Sequence, residues 1–198
     1  MIKTMPALIS VGAVVGIVVA VVLVIIIISI IGWWISTGNS LKSQAVKIDE
    51  SASDIDVALT KRYDLLTKEL GIVKGYAKHE SETLVGVVEA RTGYKAGDAE
   101  EMAKYNNKLD ELASKINLVV ERYPDLKANQ NFLSLQATAA DTEEHLQASR
   151  RLYNSNVSIF NQNLVTFPRS LVAHSLKLQP RKFFQAEEAK RQDVKMEF

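Results

Sequence analysis

The feature that most constrains this chain is a long stretch without a charged side chain. No acidic or basic residue occurs between Lys3 and Lys42, and the segment Val11–Ile28 contains nothing but Val, Ile, Leu, Ala and Gly. After one serine the apolar run continues to Ile35, so that about 25 residues would form a helix roughly 37 Å long. Because a hydrocarbon core is about 30 Å thick, we predict a transmembrane helix here.

A cleaved signal peptide is the alternative interpretation of this run. Signal peptides have an apolar core of about 7–15 residues followed by small residues at the cleavage site. Here the core is longer, and Trp33-Trp34-Ile35 stands where small residues would be needed. Tryptophan favours the level of the lipid headgroups, so the pair fits one end of a span that is retained as an anchor.

The charges on either side of the run bear on its orientation. Lys42 and Lys47 follow it, whereas Lys3 and the amino terminus precede it. Positive charge favours the cytoplasmic side, and here the difference is at most about one charge. We predict a single-pass protein of the cell membrane whose C-terminal domain is cytoplasmic.

Composition excludes several classes of function. The 24 basic and 23 acidic residues give a net charge of +1, so there is no positive excess to attract nucleic acid. Cysteine is absent, which rules out disulfides, thiol chemistry and thiolate metal sites. With 9 Gly and 4 Pro among 198 residues, the chain is poor in turn formers, and this suits long helices better than a many-stranded sheet.

Beyond Gly38-Asn39-Ser40, where we predict a helix stop and restart, apolar residues recur three, four or seven positions apart. Three stripes of this kind each last more than two helical turns, and each would face a partner helix. They comprise Ile48, Ala52, Ile55, Leu59, Leu66, Leu70, Val73, Ala77, Leu84 and Val87; Met102, Asn106, Leu109, Ala113, Ile116, Val120 and Tyr123; and Phe132, Leu135, Ala139, Thr142, Leu146, Ser149, Tyr153, Val157, Phe160, Leu164 and Phe167.

Helix-breaking residues separate the stripes. Gly93 and Gly97 bracket a loop, Pro124 can open the third helix with Asp125 in its first turn, and Pro168 ends or kinks that helix. A shorter amphipathic stretch follows, from Arg169 to about Leu178. We therefore predict an all-α protein in which an N-terminal transmembrane helix precedes an antiparallel bundle of about four long helices.

The predicted domains are residues 1–38 as tail and anchor, 39–180 as the bundle, and 181–198 as a C-terminal tail that is a short helix or extended. The first bundle helix, from about 43 to 92, would reach roughly 75 Å if straight, which a second helix of about 25 residues cannot cover. Either it bends near Gly71 and Gly75, or its membrane-proximal half projects and pairs with another chain.

The sequence contains no complete catalytic motif. His79-Glu80 begins like the zinc motif HExxH, but Thr83 stands where the second histidine is needed. His145 follows Glu143-Glu144 without a second imidazole one turn away. Adjacent carboxylates such as Glu100-Glu101 do not face each other on a helix, and we expect them to be exposed to solvent. We predict no catalytic, cofactor-binding or metal-binding residue and no enzyme activity.

Polar residues near the stripes have two interpretations. Asn106, Asn154 and Asn161 either hydrogen-bond across helices and set their register, or lie in water at the rim of the bundle. Arg150-Arg151, placed among acidic neighbours, is expected to be paired on the surface.

Several ordered segments of the chain resemble the LemA family of bacterial proteins. They are Asp54-Ile-Asp-Val57, Arg62-Tyr-Asp-Leu-Leu66, Val73-Lys-Gly-Tyr-Ala-Lys-His-Glu80, Tyr123-Pro-Asp-Leu-Lys-Ala-Asn129, Asn131-Phe-Leu-Ser-Leu-Gln136, Arg151-Leu-Tyr-Asn154, Phe167-Pro168, Leu171-Val-Ala173 and Phe183-Phe184. The sequence departs from the family pattern at Ala52, where Trp is common, and at Thr67-Lys68, where Pro-Asn is common. Without that proline, the first helix is expected to run straighter.

The resemblance implies a bacterial membrane protein with a helical bundle, and it implies neither an enzyme activity nor a cofactor. Tyr76 and Tyr153 would pack in the core, while Arg62, Arg151 and Asn154 would link helices. We predict a membrane-anchored interaction or scaffold protein that self-associates and acts in envelope organisation or stress adaptation. Its partners would be the lipid bilayer and a second copy or another membrane-associated protein.

Two alternatives stay open. The first is a membrane-remodelling oligomer, for which the span and a helix hairpin suffice. The second is a metal-dependent hydrolase whose site assembles inside the bundle. Its candidate ligands are His79, Glu80, Glu143 and His145.

Overall fold

The longest element of the structure begins inside the apolar run and continues far beyond it. The computed structural model describes residues 11–76 and 97–185, and its first helix, α1, spans Val11–Tyr76. Residues 12–36 of α1 are exposed, and its apolar part is long enough to be a candidate membrane span by length and composition. We refer to residues 11–35 as the span.

The expected helix stop at Gly38-Asn39-Ser40 is wrong, because α1 passes through these residues without a break. A glycine inside a helix costs about 1 kcal/mol relative to alanine. Burial of Thr37 and Leu41 on either side of the glycine offsets this cost. The bundle therefore begins two residues after the span ends.

In the described residues after Tyr76, four further helices follow: α2 (Ala99–Arg122), α3 (Pro124–Lys127), α4 (Gln130–Val165) and α5 (Arg169–Ser175). Side-chain caps define the two long ones. The Asp98 carboxylate accepts hydrogen bonds from the first turn of α2, and the Asn129 side-chain oxygen does the same for α4. Pro124 opens α3, as predicted, but α3 is a single turn, so that Asp125 lies in α3 and not at the start of the long third helix. No strand occurs in residues 11–76 or 97–185.

Polar contacts show how the helices run. Near the end of α4, Asn163 Nδ2 donates to Gln44 Oε1 at 2.8 Å, and near its start the Asn129 side chain donates to the Tyr76 hydroxyl at 3.0 Å. Thus α4 returns antiparallel to α1 along its whole length outside the span. The membrane-proximal half of α1 does not project, because α4 covers it. The alternative prediction, a bend near Gly71 and Gly75, gives no break either, since α1 is continuous through both glycines.

The apolar stripes form the core, as predicted. All described members of the first stripe are buried, and in the second and third stripes the members are buried or partly buried, with one exception. Ala77, Leu84, Val87 and Gly93 lie outside the described residues. The largest fully buried side chains are Phe132, Phe160, Leu41, Ile48, Ile55, Leu59, Met102, Leu109, Ile116, Leu126, Leu146 and Val73.

Phe167 is the exception, because 76% of its surface is exposed. The helix α4 ends at Val165, and Thr166 is its C-cap. Phe167 is therefore outside the helix, and its seven-residue spacing from Phe160 does not place the two side chains on one helix face. Pro168 does end the helix, as predicted. The shorter amphipathic stretch forms α5, which packs Val172 and Ala173 against Leu41 of α1.

Candidate functional site

A polar cluster links three helices in the middle of the bundle. The Arg62 guanidinium of α1 donates to Asn106 Oδ1 at 2.7 Å and pairs with Asp110 at 2.7 Å, both on α2, and with Glu143 of α4 at 3.2 Å. Its side chain is 14% exposed, whereas the two carboxylates are about one-third exposed. Arg62 therefore links helices, as the family resemblance implied, and Glu143 is not simply solvated.

A second arginine next to this cluster has a different environment. The Arg150 guanidinium lies 4.8 Å from the centre of the Phe184 ring, a cation–π distance. Its Nε and Nη2 atoms are buried and find no hydrogen-bond acceptor in the described ranges. Burial lowers the pKa of Arg150. The expected surface pairing of Arg150 is wrong, because Phe184 covers this side chain. Its neighbour Arg151 is exposed, and within the described ranges no hydrogen bond or ion pair joins it to another helix.

An open cleft of about 300 Å³ lies between α2 and α4 beside these residues. Its walls include Asn106, Asp110, Gln147, Arg150, Arg151 and Phe184. Charges of both signs line it, and Asp110 already neutralises Arg62. The cleft thus has the character of a polar groove and not of a catalytic centre with an unpaired carboxylate.

The chain's last described residues, 181–185, lie extended against α4; we call them the C-terminal segment. Asn161 exchanges two hydrogen bonds with the main chain of Arg181, at 2.8 and 2.9 Å. Asn154 exchanges two with the main chain of Phe184, at 2.9 and 2.8 Å. Between them, the Tyr153 hydroxyl donates to the Lys182 carbonyl at 2.9 Å. The α4 side chains therefore recognise main-chain atoms, whatever the sequence of the segment.

The spacing of these contacts follows from helix and strand geometry. Seven residues of α-helix rise about 10.5 Å, and three extended residues cover about 10 Å. Asn154 and Asn161 are seven apart, and their partners Phe184 and Arg181 are three apart. Neither interpretation of these two asparagines from the sequence is right, because they bind the C-terminal segment instead of another helix or bulk water. Asn106, in contrast, does hydrogen-bond across helices.

Ion pairs attach the C-terminal segment to the other helices. Lys182 Nζ lies 2.9 Å from a Glu100 carboxylate oxygen on α2, and Arg181 lies 3.3 Å from Asp49 on α1. Hydrogen bonds from Lys182 and Lys104 lower the pKa of Glu100. These pairs are exposed, so solvent screens them and each contributes little to stability.

Tyr153 is buried as predicted, and burial raises its pKa. Tyr76 does not pack in the core, because it is exposed and accepts a hydrogen bond from Asn129. His145 and Glu144 are exposed, while His79 and Glu80 lie outside the described residues. Within the described ranges, no group of three or more His, Cys, Asp or Glu side chains is placed to hold a metal ion.

The described residues thus define a class of protein: a helical bundle built on one long helix whose first part is a candidate membrane span. The chain belongs to the LemA family, whose model matches residues 51–198. It is also similar to protein LemA of Metamycoplasma hominis, with 29% identity over 163 residues that cover 81% of this chain and 74% of the relative. The resemblance found in the sequence is confirmed.

Proposed function

We propose that this chain is a membrane-anchored, non-enzymatic scaffold that self-associates and acts in envelope organisation or stress adaptation. One observation carries the proposal: α1 continues from the span into the core of the bundle. Buried residues of the bundle begin at Thr37, directly after the span. A bundle attached in this way is held at a fixed height above the bilayer, where it presents its sides to neighbouring proteins.

Exposed apolar residues supply surfaces for self-association. Leu152 and Ile159 are seven residues apart on α4, so they lie on one face, and both are half exposed. Val46 and Val57 of α1 are also exposed, and they lie at a similar height because Asn156 of α4 reaches Ser51 of α1. Two copies anchored in one membrane would meet at this height without an additional linker.

Cysteine crosslinking tests self-association cleanly, because the chain has no native cysteine. In cells, Leu152→Cys and Ile159→Cys should form disulfide-linked dimers under oxidation. Lys68→Cys, exposed on the membrane-distal part of α1, serves as the matched control and should do so less. If full-length protein is strictly monomeric in mild detergent, and crosslinking captures neither a second copy nor another protein, the scaffold proposal fails.

The orientation is a separate part of the proposal. We place the bundle in the cytoplasm, on the ground that Lys42 and Lys47 follow the span. Protease added to intact protoplasts should then leave the bundle uncut, and permeabilisation should expose it. Cleavage in intact protoplasts would assign the opposite orientation.

Membrane remodelling by an ordered oligomer is the second candidate function. Exposed Val165, Phe167 and Leu171, at the end of the bundle nearest to the span, favour it. Electron microscopy of liposomes carrying the protein would show tubes or constrictions if the protein remodels membranes, and unchanged spheres would count against this function.

A further inference from the structure

Three exposed apolar side chains surround the turn between α4 and α5. Val165 is 79% exposed, Phe167 76% and Leu171 53%. We call them the apolar corner. Backbone hydrogen bonds from Ser170 to Thr166 and from Leu171 to Pro168 hold the turn together. Exposing so much apolar surface to water is unfavourable, by about 25 cal/mol for each Å². The corner is therefore a candidate contact surface.

The corner lies at the end of the bundle that is nearest to the span. Asn163 of α4 contacts Gln44 of α1, and α4 then runs two residues further toward the membrane. Beyond the corner, α5 reaches Gly38: side-chain carbons of Leu176 and Val172 lie 3.6 and 3.7 Å from the position that a Cβ on Gly38 would take.

This height can be compared with the thickness of a bilayer. Gly38 is three helical residues past Ile35, the end of the span, which is roughly 5 Å along the axis. The headgroup layer on each side of a bilayer is about 5–8 Å thick. Thus α5, where it contacts Gly38, lies at the headgroup level when the span crosses the membrane, and the corner extends from this level toward the height of Gln44. Trp33-Trp34, which favour the same level, precede it by one turn.

Among the described residues at this end of the bundle, up to Asp49 on α1, charge has one sign. The sequence contains no acidic residue between Glu144 and Glu187, and none on α1 before Asp49. The basic residues Lys42, Lys47, Arg169 and Lys177 are all exposed there. His174 is exposed as well, and Asp49, the nearest acidic residue of α1, is paired with Arg181.

We propose that the apolar corner and these basic residues form a second membrane contact, which docks on a surface of anionic phospholipids. The apolar side chains enter the interface while the cations attract headgroup phosphates. Each basic residue near an anionic bilayer adds about 1 kcal/mol of attraction, roughly a fivefold change in the docking equilibrium. This inference rests on the proposed anchoring of the span. Docking would hold the bundle by two points instead of one.

Single cysteines labelled with an environment-sensitive dye test the proposal in the full-length protein. Phe167→Cys reports on the corner, Leu133→Cys on the membrane-distal end of α4, and Ile31→Cys on the span. The protein is reconstituted in vesicles of phosphatidylcholine with phosphatidylglycerol. Iodide quenches dyes in water, and a lipid with a nitroxide near its headgroup quenches dyes in the interface.

Docking predicts that the dye at position 167 shows a blue-shifted emission and several-fold weaker iodide quenching than the dye at position 133. Nitroxide lipid should quench it strongly. If position 31 is protected but position 167 is as accessible to iodide as position 133, docking is refuted and the anchor stands. If position 31 is itself accessible, the anchoring is refuted.

Two controls test the role of charge and distinguish docking on lipid from contact with a second copy of the chain. The double variant Lys42→Gln with Lys177→Gln should lose protection at position 167, whereas the equally charged pair Lys68→Gln with Lys115→Gln, far from the span, should not. Unchanged protection in the first pair, or in vesicles of phosphatidylcholine without phosphatidylglycerol, would overturn the role of charge.

Protection that vanishes on dilution to one copy per vesicle would mean that a second copy covers the corner, and would overturn lipid docking.

Discussion

Two asparagines with the same geometry allow a sharp test of how the C-terminal segment is held. Asn154 and Asn161 each exchange two hydrogen bonds with one main-chain residue. They differ in exposure, because Phe184 is 7% exposed whereas Arg181 is exposed. Substituting each asparagine by alanine therefore removes the same bonds from a buried and from a solvated setting.

The two settings predict different magnitudes. In Asn154→Ala, the amide and carbonyl of Phe184 lose partners that water does not readily replace, and we expect a cost of about 2 kcal/mol for the segment. In Asn161→Ala, water solvates the freed groups of Arg181, and we expect about 0.7 kcal/mol. By the usual conversion, these costs correspond to roughly 30-fold and threefold increases in local opening.

Amide hydrogen exchange at Phe184, in full-length protein in mild detergent, measures this opening directly. Asn154→Ala should accelerate the exchange about tenfold more than Asn161→Ala does, since the predicted increases are roughly 30-fold and threefold. Exchange at Leu59, in the core of α1, should stay unchanged in both variants. Equal acceleration by the two variants would show that burial under the Phe184 ring does not matter. Acceleration at Leu59 would show that the segment does not open independently of the bundle.

Four further predictions concern the free energy of unfolding, measured by denaturant titration in detergent. Gly38→Ala should stabilise the protein by about 0.5–1 kcal/mol, because the added methyl group meets α5 at ordinary contact distance and glycine's excess chain entropy is removed; a loss would show that the helix needs glycine there. Arg62→Met should cost about 3 kcal/mol, because it leaves two carboxylates without their cation; a neutral result would contradict the role given to the polar cluster. Leu59→Ala should cost about 2–5 kcal/mol through the cavity it leaves, and a smaller loss would indicate a loosely packed core. Burial raises the pKa of Glu69, so the folded state binds the carboxyl proton more tightly than the unfolded state, and the free energy of unfolding falls as pH rises from the ordinary pKa through the raised pKa. Glu69→Gln should therefore be more stable than the native protein at neutral pH and lose that advantage in acid. A variant that is destabilised at neutral pH would refute this reasoning.

Much of the fold could be predicted from local pattern. The spacing of Ile48, Ile55 and Leu59 marks a helix face because burial of that face is what stabilises the helix. The helix break predicted at Gly38 is wrong because the low helix propensity of glycine costs only about 1 kcal/mol, which tertiary packing can offset. Packing of Leu41 against Val172 and Ala173, more than a hundred positions away, decides the outcome, and a local sequence window contains no information about it.

The candidate site was harder to predict, for a related reason. The seven-residue spacing of Asn154 and Asn161 was visible, but their partner is an extended segment, and extended segments carry no periodic signal of their own. Arg150 also depends on a distant residue, since Phe184, 34 positions further along the chain, covers it. Phe167 illustrates the opposite error. Its spacing from Phe160 continues the helical pattern beyond Val165, where α4 ends just before Pro168.

When the span crosses a membrane as proposed, the unbroken α1 also makes the bundle a lever. From Ile35 to Tyr76 the helix extends roughly 60 Å beyond the span. Membrane helices tilt by about 20° on average, and the tilt changes with bilayer thickness. A tilt of that size swings the distal end of a rigid rod sideways by roughly 20 Å. Thinning or thickening of the bilayer would thus be amplified into a displacement of the distal end of α1 relative to neighbouring molecules.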